Sequence, residues 1–121
     1  MAEDNPVNQR VAVRMLEKLG YVADVAADGR AALRMAQDNH YAAILMDCHM
    51  PDVDGYEATR RIRAALSEER CPPILAMTAA GHAGDRARCL AAGMSDYLIK
   101  PVQMPLLREM LERWTSGATI D

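Results

Sequence analysis

The chain has 121 residues, room for one hydrophobic core and not for two ordinary domains. Its 14 basic and 17 acidic residues leave a net charge of −3, with no cationic footprint for nucleic acid and no polybasic run for a membrane surface. No stretch approaches the ~20 apolar residues of a membrane span, Met1-Ala2-Glu3-Asp4-Asn5 lacks both parts of a signal peptide, and Cys48, Cys71 and Cys89 contain no C-x-x-C pair, so the expectation is a cytoplasmic chain with reduced thiols.

In chain order, a first helix is predicted over Val7 to Leu19. Asn5 is a natural N-cap, Pro6 suits the first helical position, Val7, Val11, Met15 and Leu19 form an i, i+4 stripe, and Gly20 is the stop. Tyr21 to Ala26 reads as a strand, Asp28-Gly29 as a turn, and Arg30 to Asp38 as an alanine-rich helix. The apolar run Tyr41-Ala42-Ala43-Ile44-Leu45-Met46 then reads as a strand that ends in Asp47. After the loop from Pro51 to Gly55, Ala58, Ile62, Ala65 and Leu66 mark a third helix, with Arg60, Arg61 and Arg63 mostly on its wet side. Pro72-Pro73 introduce the strand Ile74-Leu75-Ala76-Met77, which ends in Thr78. A helix to Ala92 is closed by Gly93, a short strand Tyr97-Leu98-Ile99 ends in Lys100-Pro101, and Met104 to Trp114 is a last amphipathic helix.

Three strands therefore end in Asp47, Thr78 and Lys100. Alternation of helix and strand implies an open parallel sheet, and such sheets gather their ligands at the carboxyl ends of the strands. A carboxylate can attack phosphorus, a hydroxyl can hydrogen-bond a transferred phosphoryl oxygen, and an ammonium can neutralise charge on it. Glu3 and Asp4, just before the first helix, add two carboxylates, and Mg²⁺ takes a few such oxygens with waters and phosphate. Glu3, Asp4, Asp47, Thr78 and Lys100 are thus chemically complete for Mg²⁺-assisted phosphoryl transfer onto Asp47.

The chain resembles the receiver domains of bacterial response regulators, most closely those of hybrid sensor histidine kinases. The resemblance rests on Glu3-Asp4-Asn5-Pro6-Val7-Asn8-Gln9, on Met46-Asp47-Cys48-His49-Met50-Pro51 with Asp54-Gly55-Tyr56-Glu57-Ala58-Thr59, on Met77-Thr78-Ala79, and on Ala92-Gly93-Met94 leading into Asp96-Tyr97-Leu98-Ile99-Lys100-Pro101. It implies a flavodoxin-like doubly wound α/β fold with strand order 2-1-3-4-5. It further implies that Asp47 accepts a phosphoryl group from phosphohistidine. Glu3 and Asp4 are implied as the acidic pair at a Mg²⁺ site, Asp4 as a direct ligand and the backbone carbonyl of His49 as another. Thr78 is implied as the switch hydroxyl, Tyr97 as the aromatic switch, and Lys100 as the phosphoryl-paired lysine, with a cis peptide to Pro101. The partner implied is a histidine kinase or histidine phosphotransfer domain, and the switch reshapes the surface of the family's fourth helix, fifth strand and fifth helix.

Blander readings apply elsewhere. Asp28-Gly29 and Asp54-Gly55 are turn pairs in themselves, and His40 and His82 are surface loop residues. His49, two positions past Asp47, is read either as a solvated loop residue or as a group at the mouth of the site that affects access of water to an acyl phosphate. Met15, Met35, Met46 and Met77 fall at core spacings in a chain without Phe, and Trp114 anchors the last helix.

One departure concerns the start. Receiver domains lead into the acidic pair with an apolar central strand of about five residues, and here Met1-Ala2 stands there, so 1–121 is read as a receiver domain lacking its first strand, a piece of a longer protein or a start taken too far downstream. At ~1.5–3 kcal/mol for each buried aliphatic side chain, that loss compares with the ~5–15 kcal/mol stability of a domain. The expectations that follow are poor hold on Glu3 and Asp4, weak Mg²⁺ affinity, self-association, or a rearranged four-stranded sheet. The functional expectation is a phosphorelay receiver and not an enzyme, cytoplasmic by itself or within a membrane-anchored hybrid kinase. The alternatives are a phosphorylation-independent interaction module and an Asp-nucleophile phosphatase.

Overall fold

The computed structural model describes residues 1–48, 50, 53–67, 69–78, 83–100 and 102–120, with the backbone alone at 83–86 and 115–120. Among them the elements are α1 (Pro6–Lys18), α2 (Gly29–Asp38), β1 (Ile44–Asp47), α3 (Gly55–Ala65), β2 (Ile74–Thr78), α4 (Ala83–Ala92), β3 (Asp96–Ile99) and α5 (Met104–Ile120).

Local chemistry sets most of the helix ends. The Asn5 side chain accepts from the amides of Val7 and Asn8 at 2.9 and 3.3 Å, Pro6 opens α1, and Gly20 follows its end at φ 91°. Asp28, read above as part of a plain turn, caps α2 by accepting from the Ala31 amide at 2.8 Å. Asp54 caps α3 through the Glu57 amide at 2.9 Å, and Leu66 is already extended. Gly93, at φ 102°, follows α4. The last helix continues past Trp114 to Ile120, since the polar tail contains no proline to stop it.

The sheet is parallel, in the order β1-β2-β3. Side chains alternate between its faces with period two. Ile44, Met46, Ile74, Ala76 and Tyr97 face a core completed by Ala32 and Ala36 of α2, Tyr56 and Ile62 of α3, and Cys89 of α4. Leu45, Leu75, Met77 and Leu98 face the other way, against Leu16 of α1 and Leu107 and Leu111 of α5. Helices therefore cover both faces, the doubly wound arrangement expected. Met46 and Met77 are buried in these layers, and the three cysteines are free thiols.

Residues 1–3 lie inside the sheet. Ala2 bridges in parallel to both Ala26 and Met46, its amide donating to Leu45 O at 2.8 Å and its carbonyl accepting from Asp47 N at 3.0 Å. On the other side Ala26 N donates to Met1 O at 2.7 Å and Glu3 N to Ala26 O at 3.0 Å. The segment around Ala26 thus sits outside 1–3, which sit outside β1, and β2 and β3 follow. This is the order 2-1-3-4-5 and not a closed-up sheet. The strand expected over Tyr21–Ala26 is reduced to the bridge at Ala26, because a ladder extends only as far as its partner, and Val22 is 97 % exposed.

A second correction concerns Arg63. Arg60 and Arg61 do lie on the wet side, each paired with Glu57 at 3.2 Å. Arg63 instead turns inward, donating from Nε to Gly93 O at 2.8 Å, from Nη2 to Ser95 Oγ at 3.1 Å and from Nη1 to Cys71 Sγ at 3.3 Å. One guanidinium thereby joins α3 to the turn before β3. Trp114 does anchor α5, its indole N–H donating to Asp96 Oδ2 at 3.2 Å.

Candidate functional site

Register brings the three strand ends together. Asp47 is level with Met77, Thr78 is level with Ile99, and the Lys100 amide donates to Thr78 O at 2.7 Å. Asp47, Thr78 and Lys100 therefore follow one another across the carboxyl edge of the sheet. Asp47 and Thr78 are buried, at 2 % and 1 % exposure. Lys100 Nζ reaches Asp47 Oδ1 at 2.9 Å and Glu3 Oε1 at 3.5 Å. Burial works to lower the Lys100 pKa, but its contacts with Asp47 and Glu3 outweigh that and hold it above its ordinary value, so the ammonium stays charged.

Glu3 is 1 % exposed and Asp4 is exposed, and their carboxylate oxygens lie with one from Asp47 within 4.8 Å of one another. Burial, then the hydrogen bond and charge of Asp47, push the Glu3 carboxyl up to about 7, with Asn8 and Lys100 acting the other way. Glu3 Oε2 is buried and has no hydrogen-bond partner among the described residues. A buried carboxylate oxygen costs ~1–3 kcal/mol when left unsatisfied. An orphaned oxygen beside two further carboxylates suits a small hard cation, and Mg²⁺, with one or two carboxylates and several waters, fits this donor set.

The hold on Glu3 is firmer than the sequence suggests. Its amide is bonded to Ala26 O, and its carbonyl accepts from Gln9 Nε2 at 2.6 Å. Gln9 lies within a motif already noted, but nothing local marks its side chain as turned back toward the strand. Gly55 was also under-read. Its amide donates to Cys48 O at 3.1 Å, and a Cβ there would stand 2.8 Å from both the Asp47 carbonyl carbon and Cys48 Cα, closer still to Asp47 O. The first residue of α3 therefore lies directly against the backbone of Asp47.

Tyr97 is half-buried, packed against the core on the α3–α4 side. Beyond Glu3 and Lys100 a cavity of about 360 Å³ opens, walled by Val11, Ala12 and Met15 of α1. His40 is exposed and away from the site. The His49 carbonyl, His82 and the peptide to Pro101 lie outside the described residues.

The family of response regulator receiver domains matches residues 1–112. The hybrid signal transduction protein dokA of Dictyostelium discoideum is 41 % identical over 114 residues, a match covering 94 % of this chain and 7 % of that protein. The aerobic respiration control sensor protein ArcB of Escherichia coli is 38 % identical over 114 residues, covering 94 % of this chain and 14 % of that one. The chain thus spans a small part of the length of these relatives. Among solved structures, the receiver domain of sensor histidine kinase PA1611 from Pseudomonas aeruginosa, with a magnesium ion coordinated in its active site cleft, is 51 % identical with a TM-score of 0.86, over 95 % of this chain and 93 % of that one. A Saccharomyces cerevisiae co-crystal of the histidine phosphotransfer protein Ypd1 with the receiver domain of Ssk1 gives 27 % identity and a TM-score of 0.88, over 97 % of this chain and 87 % of that one.

Proposed function

This chain belongs to the family of response regulator receiver domains, and from that premise we propose that it accepts a phosphoryl group from phosphohistidine onto Asp47, with Mg²⁺ held by Asp4, Asp47 and Glu3. The observation that carries the reading is the contact of Lys100 Nζ with Asp47 Oδ1 at 2.9 Å beside the orphaned carboxylate oxygen of Glu3. When bound, the cation supplies positive charge against the phosphoryl oxygens.

The chain's own residues do the rest. Lys100, 2.9 Å from Asp47 Oδ1, presents a second positive charge where phosphoryl oxygens gather. The buried carboxylate, fixed at a strand end, is held for in-line attack with little reorganisation. A bond forms between an Asp47 oxygen and phosphorus as the phosphorus–nitrogen bond of phosphohistidine breaks, and the departing imidazole takes up a proton. Thr78 then donates its hydroxyl to the new phosphoryl group, and Tyr97 responds by turning into the space beside α4.

The partner is a histidine kinase or a histidine phosphotransfer domain, a reading supported by the hybrid kinases among the relatives and by the Ypd1 co-crystal. The place of action we propose is the cytoplasm, with the chain acting by itself or within a membrane-anchored hybrid kinase. The test is mass spectrometry after incubation with Mg²⁺ and a small acyl phosphate donor. The wild-type chain gains one phosphoryl group, and Asp47→Asn gains none. Undiminished labelling of the Asn variant would show that the acceptor is elsewhere.

A further inference from the structure

We propose that Gln9 is a positioning residue for the cation site, acting through the peptide that joins Glu3 to Asp4. This inference rests on the reading of Glu3 and Asp4 as Mg²⁺ ligands. Two bonds from one residue bracket Asp4. The side-chain amide of Gln9 donates to Glu3 O at 2.6 Å, and its backbone amide donates to Asn5 O at 2.9 Å. The first is partly buried and spans six residues, so it closes the strand-to-helix turn on itself.

The placement matters because a carboxylate is aimed by its backbone. Glu3 is pinned on its amide side by Ala26 O, and Gln9 pins its carbonyl side. Without that donor the Glu3–Asp4 peptide gains freedom to rotate, and rotation there carries the exposed Asp4 side chain away from Asp47. The carboxylate oxygens now converge within 4.8 Å, a geometry that a small cation with strict ligand directions requires. Outer partners that hold ligands in this way commonly affect metal affinity by about 10- to 100-fold.

The experiment is calorimetric titration of the full chain with Mg²⁺ alone, beside thermal melts without metal. Gln9→Met keeps the side chain's bulk and removes the donor; Gln9→His, measured near pH 8 where the imidazole is neutral, keeps an N–H at similar reach. The expected result is a loss of affinity of about tenfold or more in Gln9→Met, substantial recovery in Gln9→His, and metal-free melting temperatures lowered by no more than about 4–8 °C, the effect of one lost hydrogen bond. In phosphorylation assays Gln9→Met should need more Mg²⁺ yet approach the wild-type rate at saturation. Affinity within about twofold of wild type in Gln9→Met overturns the inference. So does a fall in metal-free melting well beyond that of one hydrogen bond, or equal weakness of the Met and His variants. Absence of Mg²⁺ binding by the wild-type chain would instead overturn the proposed function itself.

Discussion

Gly55→Ala perturbs the point where α3 meets the end of β1 at Asp47. The added methyl would lie 2.8 Å from the Asp47 carbonyl carbon and from Cys48 Cα, against an optimum of about 3.5–4.0 Å for carbon pairs. Neither atom belongs to a side chain that can swing aside, and Asp47 O is closer still, so α3 and the end of β1 must separate by at least about 0.7 Å. The bonds at that end, Asp47 N to Ala2 O and Cys48 N to Met77 O, are each 3.0 Å long, and such a shift takes them beyond useful hydrogen-bond range. Overpacking of this kind costs ~1–3 kcal/mol and each of the two lost bonds ~0.5–1.5 kcal/mol, so the expected destabilisation is about 2–6 kcal/mol, with loss of Asp47 phosphorylation. Gly20→Ala is the control, since nothing lies within 4 Å of its Cβ position and the cost there comes from φ 91° alone, about 1–2 kcal/mol. Urea unfolding of both variants measures the difference. If Gly55→Ala is no less stable than Gly20→Ala, or keeps wild-type phosphorylation, the contact between α3 and Asp47 does not constrain the site.

Three further outcomes are expected. Glu3, raised by burial and by Asp47 to about 7, must lose its proton to bind a cation, so Mg²⁺ affinity should climb as pH rises toward 7 and level off above it. Below about pH 7 binding should therefore release protons, read from calorimetry in two buffers of different ionisation enthalpy; zero release would refute this assignment. Without metal the sign reverses, because the folded chain keeps a proton that an unfolded Glu3 gives up near its ordinary 4.5, and stability should fall between there and about 7. Arg63→Ala removes three charge-assisted donors to Gly93, Ser95 and Cys71 and should cost about 1.5–3 kcal/mol in urea unfolding, with Arg63→Lys recovering less than half; a change under about 0.5 kcal/mol would show the contacts to be incidental. Thr78→Ala should still label at Asp47 while binding of a phosphorylation-dependent partner is lost; normal binding in a pull-down would contradict the switch role.

Elements whose signals are local were legible in the sequence. Asn5-Pro6 and Gly20 bound α1 because capping and positive φ are decided within a few residues. The approach of Asp47 and Lys100 was legible because strand ends in a parallel sheet share one edge, so the order of motifs implies their meeting. What escaped was tertiary. Tyr21–Ala26 has strand composition, but a strand exists through its partner, and among the described residues the sheet bonds to this segment come from residues 1–3. Arg63 was assigned to the wet side of α3 because its acceptors come 30 and 32 residues later. Gly55 looked like half of a turn pair, since a glycine required for close approach is spelled the same way. Gln9 had no local cue, because a side chain turned back to a strand leaves no period in the sequence.

The bonding around Ala2 divides two neighbouring residues into separate units of motion. The Asp47 amide is bonded to Ala2 O, whereas the next amide, Cys48, is bonded to Met77 O in β2. Hydrogen exchange at Cys48 therefore follows separation of the two inner strands, which demands opening of the buried core. Exchange at Asp47 follows the departure of residues 1–3, a much smaller event. Asp47 thus carries, on its own backbone, a reporter of how firmly the acidic pair is docked, and cation binding at the proposed site would slow that one amide while leaving its neighbour unchanged.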